Sequence, residues 1–257
     1  MELSTALVIS TYNRADALDL VLLSVSRQTR PASQIIIVDD GSSDSTRYLV
    51  EKWSATIPLI YCWLPDSGFR AARARNLGIL KALADYIVFI DGDCIIPPNF
   101  IERHTALAES GHFVAGGRYL LDKNQTEQII GGDLNIAKIA FLFNLKFRYI
   151  PLGPFRFLST SNWKIVRSCN LGVFKHQAIS VNGFDESFVG WGREDSDLTR
   201  RLLHLGARIK SGRLAVCVLH LWHKAADRDQ LSRNEQRFAS KGSTHDFEPN
   251  KSVLMEL

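Results

Sequence analysis

The sequence predicts an α/β fold in which a mixed, mostly parallel sheet flanked by helices forms a single domain. Strand-like apolar runs alternate with helical patterns through the first half of the chain, the order that builds parallel sheets. The runs at 35–38 and 87–90 are continuously apolar, which is typical of strands buried on both faces. Because 46% of the 257 residues are hydrophobic and 23% are charged, the composition is that of a chain with a core and excludes a disordered one.

The elements of the first half follow from the spacing of apolar residues. The first helix, for example, carries Leu18, Val21, Leu22 and Val25 on one face. The predicted strands are Ala6–Ser10, Gln34–Val38, Ile57–Trp63 and Tyr86–Ile90. The helices predicted between them are Ala15–Gln28, Asp44–Trp53 and Phe69–Leu83.

The second half has fewer clear elements. We expect strands at Leu171–Phe174 and Arg213–His220, and a helix from Glu194 to Leu205 that ends at Gly206. The polar stretch Ala225–Leu257 is predicted to form a peripheral helix and tail.

The charge and the ends of the chain restrict partners and location. Lys and Arg number 31 and Asp and Glu 27, a net charge of +4 without a basic stripe, so nucleic acid is not expected as a partner. The N-terminus lacks the basic region and long apolar run of a signal peptide, and no run reaches the ~20 apolar residues of a membrane span. We therefore expect a cytoplasmic protein, either free or peripheral on the inner face of the cell membrane.

Two acidic motifs directly follow predicted strands, at the sheet edge where α/β proteins bind ligands. Asp91 and Asp93 would repel each other when buried, and a divalent cation such as Mg²⁺ or Mn²⁺ offsets that repulsion. Asp39 and Asp40 suit a base N–H or ribose hydroxyls, and Gly41 permits close approach. The alternative is that each motif only caps a turn. The chain lacks the glycine-rich signatures of dinucleotide oxidoreductases and P-loop NTPases.

Three further stretches, which contain basic, aromatic and imidazole side chains, are candidates for binding, catalytic or metal sites. Arg70, Arg73 and Arg75 begin a helix and suit a diphosphate, although a solvated basic face is the alternative. A Gly-Trp-Gly loop around Trp191 offers a flat ring to the apolar face of a sugar, and acids follow it at a helix start, where the dipole keeps a general base ionised. The histidines of 220–223 close the last strand and could complete a metal site.

In this order, the motifs resemble those of family-2 glycosyltransferases, which have the GT-A fold. The stretches that carry this resemblance are Val8–Arg14, Ile37–Ser42, Ala74–Gly78 and Asp91–Asp93. The stretch 182–198 resembles the acceptor-side segment of β1,4-galactosyltransferases and chondroitin polymerases, written G-W-G-x-E-D, with Arg193 where that segment commonly has Gly. Together the match spans roughly residues 5–223.

The resemblance implies a role for each matching position. The donor, a UDP-sugar, would be bound by Thr11, Asn13, Arg14, Asp39, Asp40, Arg75, Asp91 and Asp93. A Mn²⁺ or Mg²⁺ ion would be held by Asp93, and by His220 and His223 where galactosyltransferases have Met-x-x-His. Trp191 and Glu194 would bind the acceptor, and the catalytic pair would be Asp195, the base, with Glu194 beside it.

The implied reaction is inverting, metal-dependent transfer of a hexose or N-acetylhexosamine from a UDP-sugar to a hydroxyl of a glycan or glycolipid. Lipopolysaccharide, capsule and other cell-surface polysaccharides are the acceptor classes considered. Residues 1–117 would form the nucleotide-sugar half, 118–224 the acceptor and catalytic half of the same domain, and 225–257 the C-terminal helix and tail. The alternatives are a non-catalytic nucleotide-sugar-binding module and a retaining transferase on the same fold.

The stretch Asp133–Ser168 carries six basic residues against one acid, interleaved with aromatic residues. One interpretation is a helix and loop that cover the core. The other is a functional surface, either an acceptor-facing flap or a peripheral contact with an anionic membrane or lipopolysaccharide.

Overall fold

The computed structural model describes residues 3–132 and 159–241. Most of the basic and aromatic stretch 133–168 therefore lies outside the described residues, as does the end of the predicted tail. Within the described ranges, no helix is both long and apolar enough to cross a membrane.

The described residues form nine strands, eight α-helices and a short 3-10 helix at Trp163–Ile165. The strands are β1 (Thr5–Thr11), β2 (Gln34–Asp39), β3 (Ile60–Trp63), β4 (Tyr86–Asp91), β5 (Cys94–Ile95), β6 (His112–Leu120), β7 (Ser159–Thr160), β8 (Asn170–Phe174) and β9 (Arg208–His220). The helices are α1 (Ala15–Val25), α2 (Asp44–Ser54), α3 (Ala71–Lys81), α4 (Phe100–Leu107), α5 (Lys123–Ile130), α6 (Lys175–Ser180), α7 (Glu194–His204) and α8 (Leu231–Ser240).

The strands make one sheet in the order β3-β2-β1-β4-β8-β6-β9-β5, with β7 paired to β9. The first four strands are parallel, and the antiparallel pairings of β8, β5 and β7 make the sheet mixed. Side chains of β1 alternate between two cores: Leu7 and Ile9 pack with α1, whereas Val8 packs with α3. The predicted mixed α/β sheet in a single domain, with central strands buried on both faces, is confirmed.

Strand register brings the polar motifs together. Thr11 pairs with Asp39, and Ser10 pairs with Asp91, so the carboxyl ends of β1, β2 and β4 meet at one edge. The short strand β5 pairs with the end of β9 through Cys94 and His220. That pairing brings His220, and His223 just beyond the strand, close to Asp93 in the acidic motif that follows β4.

Several predicted boundaries were wrong. The helix expected at 15–28 ends at Val25, and the one expected at 69–83 spans Ala71–Lys81. The last strand begins at Arg208 rather than Arg213, because its first residues pair in parallel with β6. The strand β6 itself was not predicted. Its two consecutive glycines, Gly116 and Gly117, interrupt the apolar pattern at the point where the register with β9 shifts.

The predicted C-terminal helix is present as α8, and most of its residues are exposed. Helix α8 buries Asn234 and Phe238, and its residues contact the loop that precedes α7. The sequence did not predict this contact, because 225–257 is largely polar and one of the two buried positions of α8 is an asparagine.

Candidate active site

Hydrogen bonds lock the loops after β1 and β2 against each other. The backbone N–H of Asn13 donates to Ser42 Oγ over 2.7 Å, and Asn13 Oδ1 accepts from the backbone N–H of Ser43 over 3.0 Å. Asn13 adopts φ +48°, a left-handed conformation that asparagine tolerates. Thr11 is nearly buried, and its hydroxyl has no hydrogen-bond partner within the described part of the chain. The hydroxyl itself is buried, so a ligand contact to Thr11 stays a prediction.

Asp39 and Asp40 are both buried and both engaged. Asp39 accepts from the backbone N–H of Ser42 and from the hydroxyl of Tyr61, each over 2.7 Å. Burial, and then this bond to Asp39, raises the pKa of Tyr61. Asp40 accepts from the backbone N–H of Arg70 over 2.7 Å and pairs with its guanidinium at 3.1 Å. These carboxylates shape the loops, and the contacts to a nucleoside that the resemblance implies stay a prediction.

Arg75 joins the two halves of the site. Its guanidinium lies 2.9 Å from Asp91 on β4 and 3.2 Å from Glu194 at the start of α7, and its side chain is only 5% exposed. Asp91 also accepts from the hydroxyl of Ser10 over 3.2 Å. The bridge holds two acids that are distant in sequence at the same sheet edge. Removing a partner from such a buried pair typically costs about 3–5 kcal/mol.

The acids at the start of α7 differ in environment. Burial, and then repulsion from Asp195, raises the pKa of Glu194 to about 7, although Arg75 opposes the shift. Asp195 accepts from the hydroxyl of Ser196 over 3.2 Å and has no ion pair among the described residues. Asp197 is buried in an ion pair with Arg201 at 2.6 Å. Asp195 is thus the acid in this turn whose carboxylate is not paired with a cation.

A second cluster surrounds Asp93. The Nε2 atoms of His220 and His223 lie 3.7 Å and 3.5 Å from its two carboxylate oxygens. These separations are too long for good hydrogen bonds. Burial raises the pKa of Asp93, although His220 opposes that shift, and the thiol of Cys94 lies 3.7 Å away. Arg14, paired with Asp16 at 3.0 Å, also contributes positive charge near Asp93.

The residues around Asp93 fit a divalent cation. The Nδ1 atoms of His220 and His223 face the backbone carbonyls of Leu221 and Lys224, at 3.0 Å and 2.8 Å. In the tautomer that this arrangement favours, Nδ1–H donates to the carbonyl and Nε2 keeps its lone pair toward Asp93. A site of carboxylate oxygens and imidazole nitrogens suits Mn²⁺ or Zn²⁺, whereas Mg²⁺ prefers a site of oxygen ligands alone.

The Gly-Trp-Gly loop presents Trp191, whose side chain is 40% exposed. Gly190, Gly192 and Arg193 all have positive φ, so the loop turns sharply before α7 begins. The backbone N–H of Gly190 donates to the carbonyl of Phe69 over 3.1 Å, and the Arg228 guanidinium lies 4.8 Å from the Trp191 ring centre. The loop therefore lies between the start of α3 and the segment that leads into α8.

The structure brings most predicted site residues to one sheet edge, and Arg70 is an exception. Arg70 pairs with Asp40, and so it supports a loop instead of standing free for a diphosphate. Arg73 makes no ion pair among the described residues and stays a candidate. Sequence reasoning did not find Tyr61 or Asn234, which hold Asp39 and the Trp191 loop. A tyrosine within a short edge strand was a weak signal for Tyr61, and the sequence contains no signal for Asn234.

The sequence profile of glycosyl transferase family 2 matches residues 6–163, more than half of the chain. The profile of the N-terminal domain of galactosyltransferase matches residues 157–223. The chain therefore belongs to glycosyl transferase family 2, as the resemblance in sequence implied.

Relatives with established names are longer than this chain. Validoxylamine A glucosyltransferase of Streptomyces hygroscopicus subsp. jinggangensis is 28% identical over 225 residues, which cover 77% of this chain and 50% of the relative. Chondroitin synthase of Escherichia coli is 25% identical over 234 residues, which cover 80% of this chain and 33% of the relative. The chain thus spans half or less of the length of these two relatives.

Solved structures share the fold. S. aureus TarS 1–349, in complex with UDP-GlcNAc, matches with a TM-score of 0.70 at 15% identity, over 96% of this chain and 68% of that chain. The mannosyltransferase PcManGT of Pyrobaculum calidifontis, in complex with GDP-Man and Mn²⁺, matches with a TM-score of 0.60 at 18% identity, over 86% of this chain and 57% of that chain. The predicted GT-A fold is therefore confirmed.

Proposed function

We propose that the protein transfers a hexose or N-acetylhexosamine from a UDP-sugar to a hydroxyl of a glycan, with inversion at the anomeric carbon. The observation that carries the proposal is the Arg75 bridge between Asp91 and Glu194. It sets acids of a donor-binding sheet edge beside acids of an acceptor-side helix. A sugar that is transferred must lie between its donor and its acceptor. The Arg75 bridge would place the binding sites of both substrates next to each other.

The donor side would consist of residues 1–117. Thr11, Asn13 and Arg14 lie at or just beyond the end of β1, beside the acids of β2 and β4, and we propose that the nucleoside binds there. The UDP-GlcNAc complex of S. aureus TarS supports a uridine donor for this chain.

A divalent cation, Mn²⁺ in preference to Mg²⁺, would be held by Asp93, His220 and His223. When bound, such an ion offsets the negative charge that develops on a diphosphate leaving group. The chain's own contribution is to keep both Nε2 atoms facing the Asp93 carboxylate, through the backbone carbonyls that engage Nδ1.

Asp195 would be the general base, in the acceptor and catalytic half formed by 118–224. An unpaired carboxylate at the start of α7, where the helix dipole favours negative charge, can take the proton of an acceptor hydroxyl as it attacks the anomeric carbon. Glu194, held by Arg75, would bind hydroxyls, and Trp191 would stack on a sugar ring of the acceptor. One displacement inverts the anomeric centre, so an α-linked donor gives a β-linked product.

A donor and acceptor screen tests the proposal. UDP-glucose, UDP-galactose, UDP-GlcNAc, UDP-glucuronate and GDP-mannose would each be incubated with Mn²⁺ and p-nitrophenyl β-glycosides, and release of UDP or GDP measured. We expect UDP release that rises when an acceptor is present. Binding of UDP without turnover of any donor would instead support the non-catalytic binding module.

A further inference from the structure

The segment 228–235 surrounds the Trp191 loop although it follows that loop by about 40 residues. The side-chain amide of Asn234, a residue only 2% exposed, donates to the carbonyl of Val189 over 3.0 Å and to that of Trp191 over 3.3 Å. One buried amide thus donates both of its hydrogen bonds to carbonyls of an irregular turn, and the buried Asn234 side chain would be left unsatisfied without that turn.

Two glycines of the loop pack directly on the same segment. A Cβ built on Gly190 would lie 2.9 Å from Cβ of Gln230, and one on Gly192 would lie 3.1 Å from a methyl group of Leu231. Both glycines also have positive φ. The close approach of the loop to these two side chains therefore depends on glycine at both positions.

An ion pair fixes the far end of the loop. Arg193, with φ +80°, pairs with Glu235 at 2.9 Å, one residue beyond Asn234 on α8. A left-handed conformation is costly for a residue with a Cβ and persists only where its surroundings hold it. Arg193 immediately precedes Glu194 and Asp195, so the position of these acids depends on the same contacts.

We propose that Asn234 is a positioning residue for the acceptor platform, and that α8 is part of the acceptor site. Asn234 holds the Val189–Trp191 turn so that Trp191 faces the acceptor and α7 begins at Glu194. The donor edge is held by strand register, and its link to the contacts of α8 runs through the Arg75 bridge to Glu194. Loss of the Asn234 amide should therefore weaken acceptor binding and leave UDP binding unchanged. The assignment of Trp191 to an acceptor rests on the proposed function.

Hydrogen exchange tests the positioning directly and needs no substrate. In Asn234→Asp, an isosteric change that sets a carboxylate against two carbonyls, we expect amides of 188–195 to exchange at least about tenfold faster. Peptides of β1 and β4 should exchange as in the wild type. Val50→Ala, which removes volume from α2 in a different core cluster, is the control for general loss of stability. Unchanged exchange at 188–195 would overturn the proposal.

Kinetics tests the consequence for function. With the UDP-sugar and p-nitrophenyl glycoside that turn over in the screen, Asn234→Asp should raise the acceptor KM about tenfold and leave the donor KM and the Kd for UDP within twofold. Equal loss in donor and acceptor constants would show a merely structural role. If the variant does not fold, Glu235→Gln should raise the acceptor KM about threefold, and an unchanged value would contradict the proposal. If the wild type turns over no donor, the proposed function fails, whereas the exchange experiment still decides the role of Asn234.

Discussion

The proposed donor edge, formed by the carboxyl ends of β1, β2 and β4, and the proposed acceptor loop, which is the Gly-Trp-Gly loop around Trp191, are built in different ways. At the donor edge, Asp39 and Asp91 are the last residues of parallel strands, and their positions follow from register with β1. In the acceptor loop, three residues that lie close together in sequence have positive φ: Gly190, Gly192 and Arg193. The loop is held by side chains of α8, which follows it by about 40 residues. Under the proposed function, the sheet positions the donor, while the acceptor needs a support of its own.

Arg75 is the point at which the two regions meet. It lies on α3, close to the donor edge, and yet it binds the first acid of α7. A change in one region can reach the other through this guanidinium. The predictions below separate residues that serve one region from those that serve both.

The largest expected effect distinguishes two acids of the same helical turn. Asp195→Asn should lower transfer by roughly 10²–10⁴-fold without lowering the melting temperature, because it removes a general base that has no cation partner. Asp197→Asn should instead cost about 3–5 kcal/mol of stability, because it breaks the buried pair with Arg201. Steady-state kinetics and denaturant unfolding on both variants check this contrast. Near wild-type turnover in Asp195→Asn would remove that residue from the role.

The next effect tests the cation site of the donor edge. Asp93→Ala should weaken Mn²⁺-dependent UDP binding by about 100-fold, since it removes the carboxylate that faces both imidazoles. Titration calorimetry with UDP, with Mn²⁺ and then with a chelator, measures it. Asp85→Asn, at the opposite end of β4, is the matched control. Equal UDP affinity in Asp93→Ala and wild type in the presence of Mn²⁺ would sink the assignment.

A smaller effect concerns pH. The pKa of Glu194 is raised to about 7, above its ordinary value of 4.5, so the folded protein binds a proton that the unfolded chain releases. Stability from this proton is complete below about pH 4.5 and is lost as pH rises through 7, on the order of 2–3 kcal/mol. Urea unfolding from pH 4.5 to 8 should show the decline, and Glu194→Gln should flatten it. A Glu194→Gln profile parallel to the wild type would contradict the assignment.

The smallest effect concerns the platform itself. Trp191→Ala should raise the acceptor KM about tenfold, equivalent to about 1.4 kcal/mol, by removing the exposed ring, while Trp191→Phe should keep most of the affinity. The donor KM is the internal control. A change in donor KM of the same size would show that the ring serves both substrates.

The sequence predicts the donor edge better than the acceptor loop, and for a physical reason. Continuous apolar runs identify β1, β2 and β4, and parallel register then fixes where Asp39 and Asp91 must lie. The strand β6 was not predicted because two consecutive glycines interrupt its apolar pattern. They lie where the register between β6 and β9 shifts. Arg70 pairs with Asp40 through a long-range contact that helical spacing does not encode.

The acceptor side shows the same limit. The Gly-Trp-Gly loop and its acids are visible in the sequence as a candidate site. The residue that holds the loop, Asn234, lies in a polar stretch whose pattern indicates only a surface helix. Its importance depends on two carbonyls of a turn about 40 residues away, and only the folded chain brings these groups together.

The anomeric configuration of the product tests the central claim most directly. With the α-linked UDP-sugar and glycoside acceptor that turn over, proton NMR of the purified product reads the new glycosidic bond. A base at Asp195 on the acceptor side, opposite a leaving diphosphate at the donor edge, predicts a β-linked product from a single displacement. An α-linked product would contradict this account, because retention requires a different arrangement of acceptor, base and leaving group.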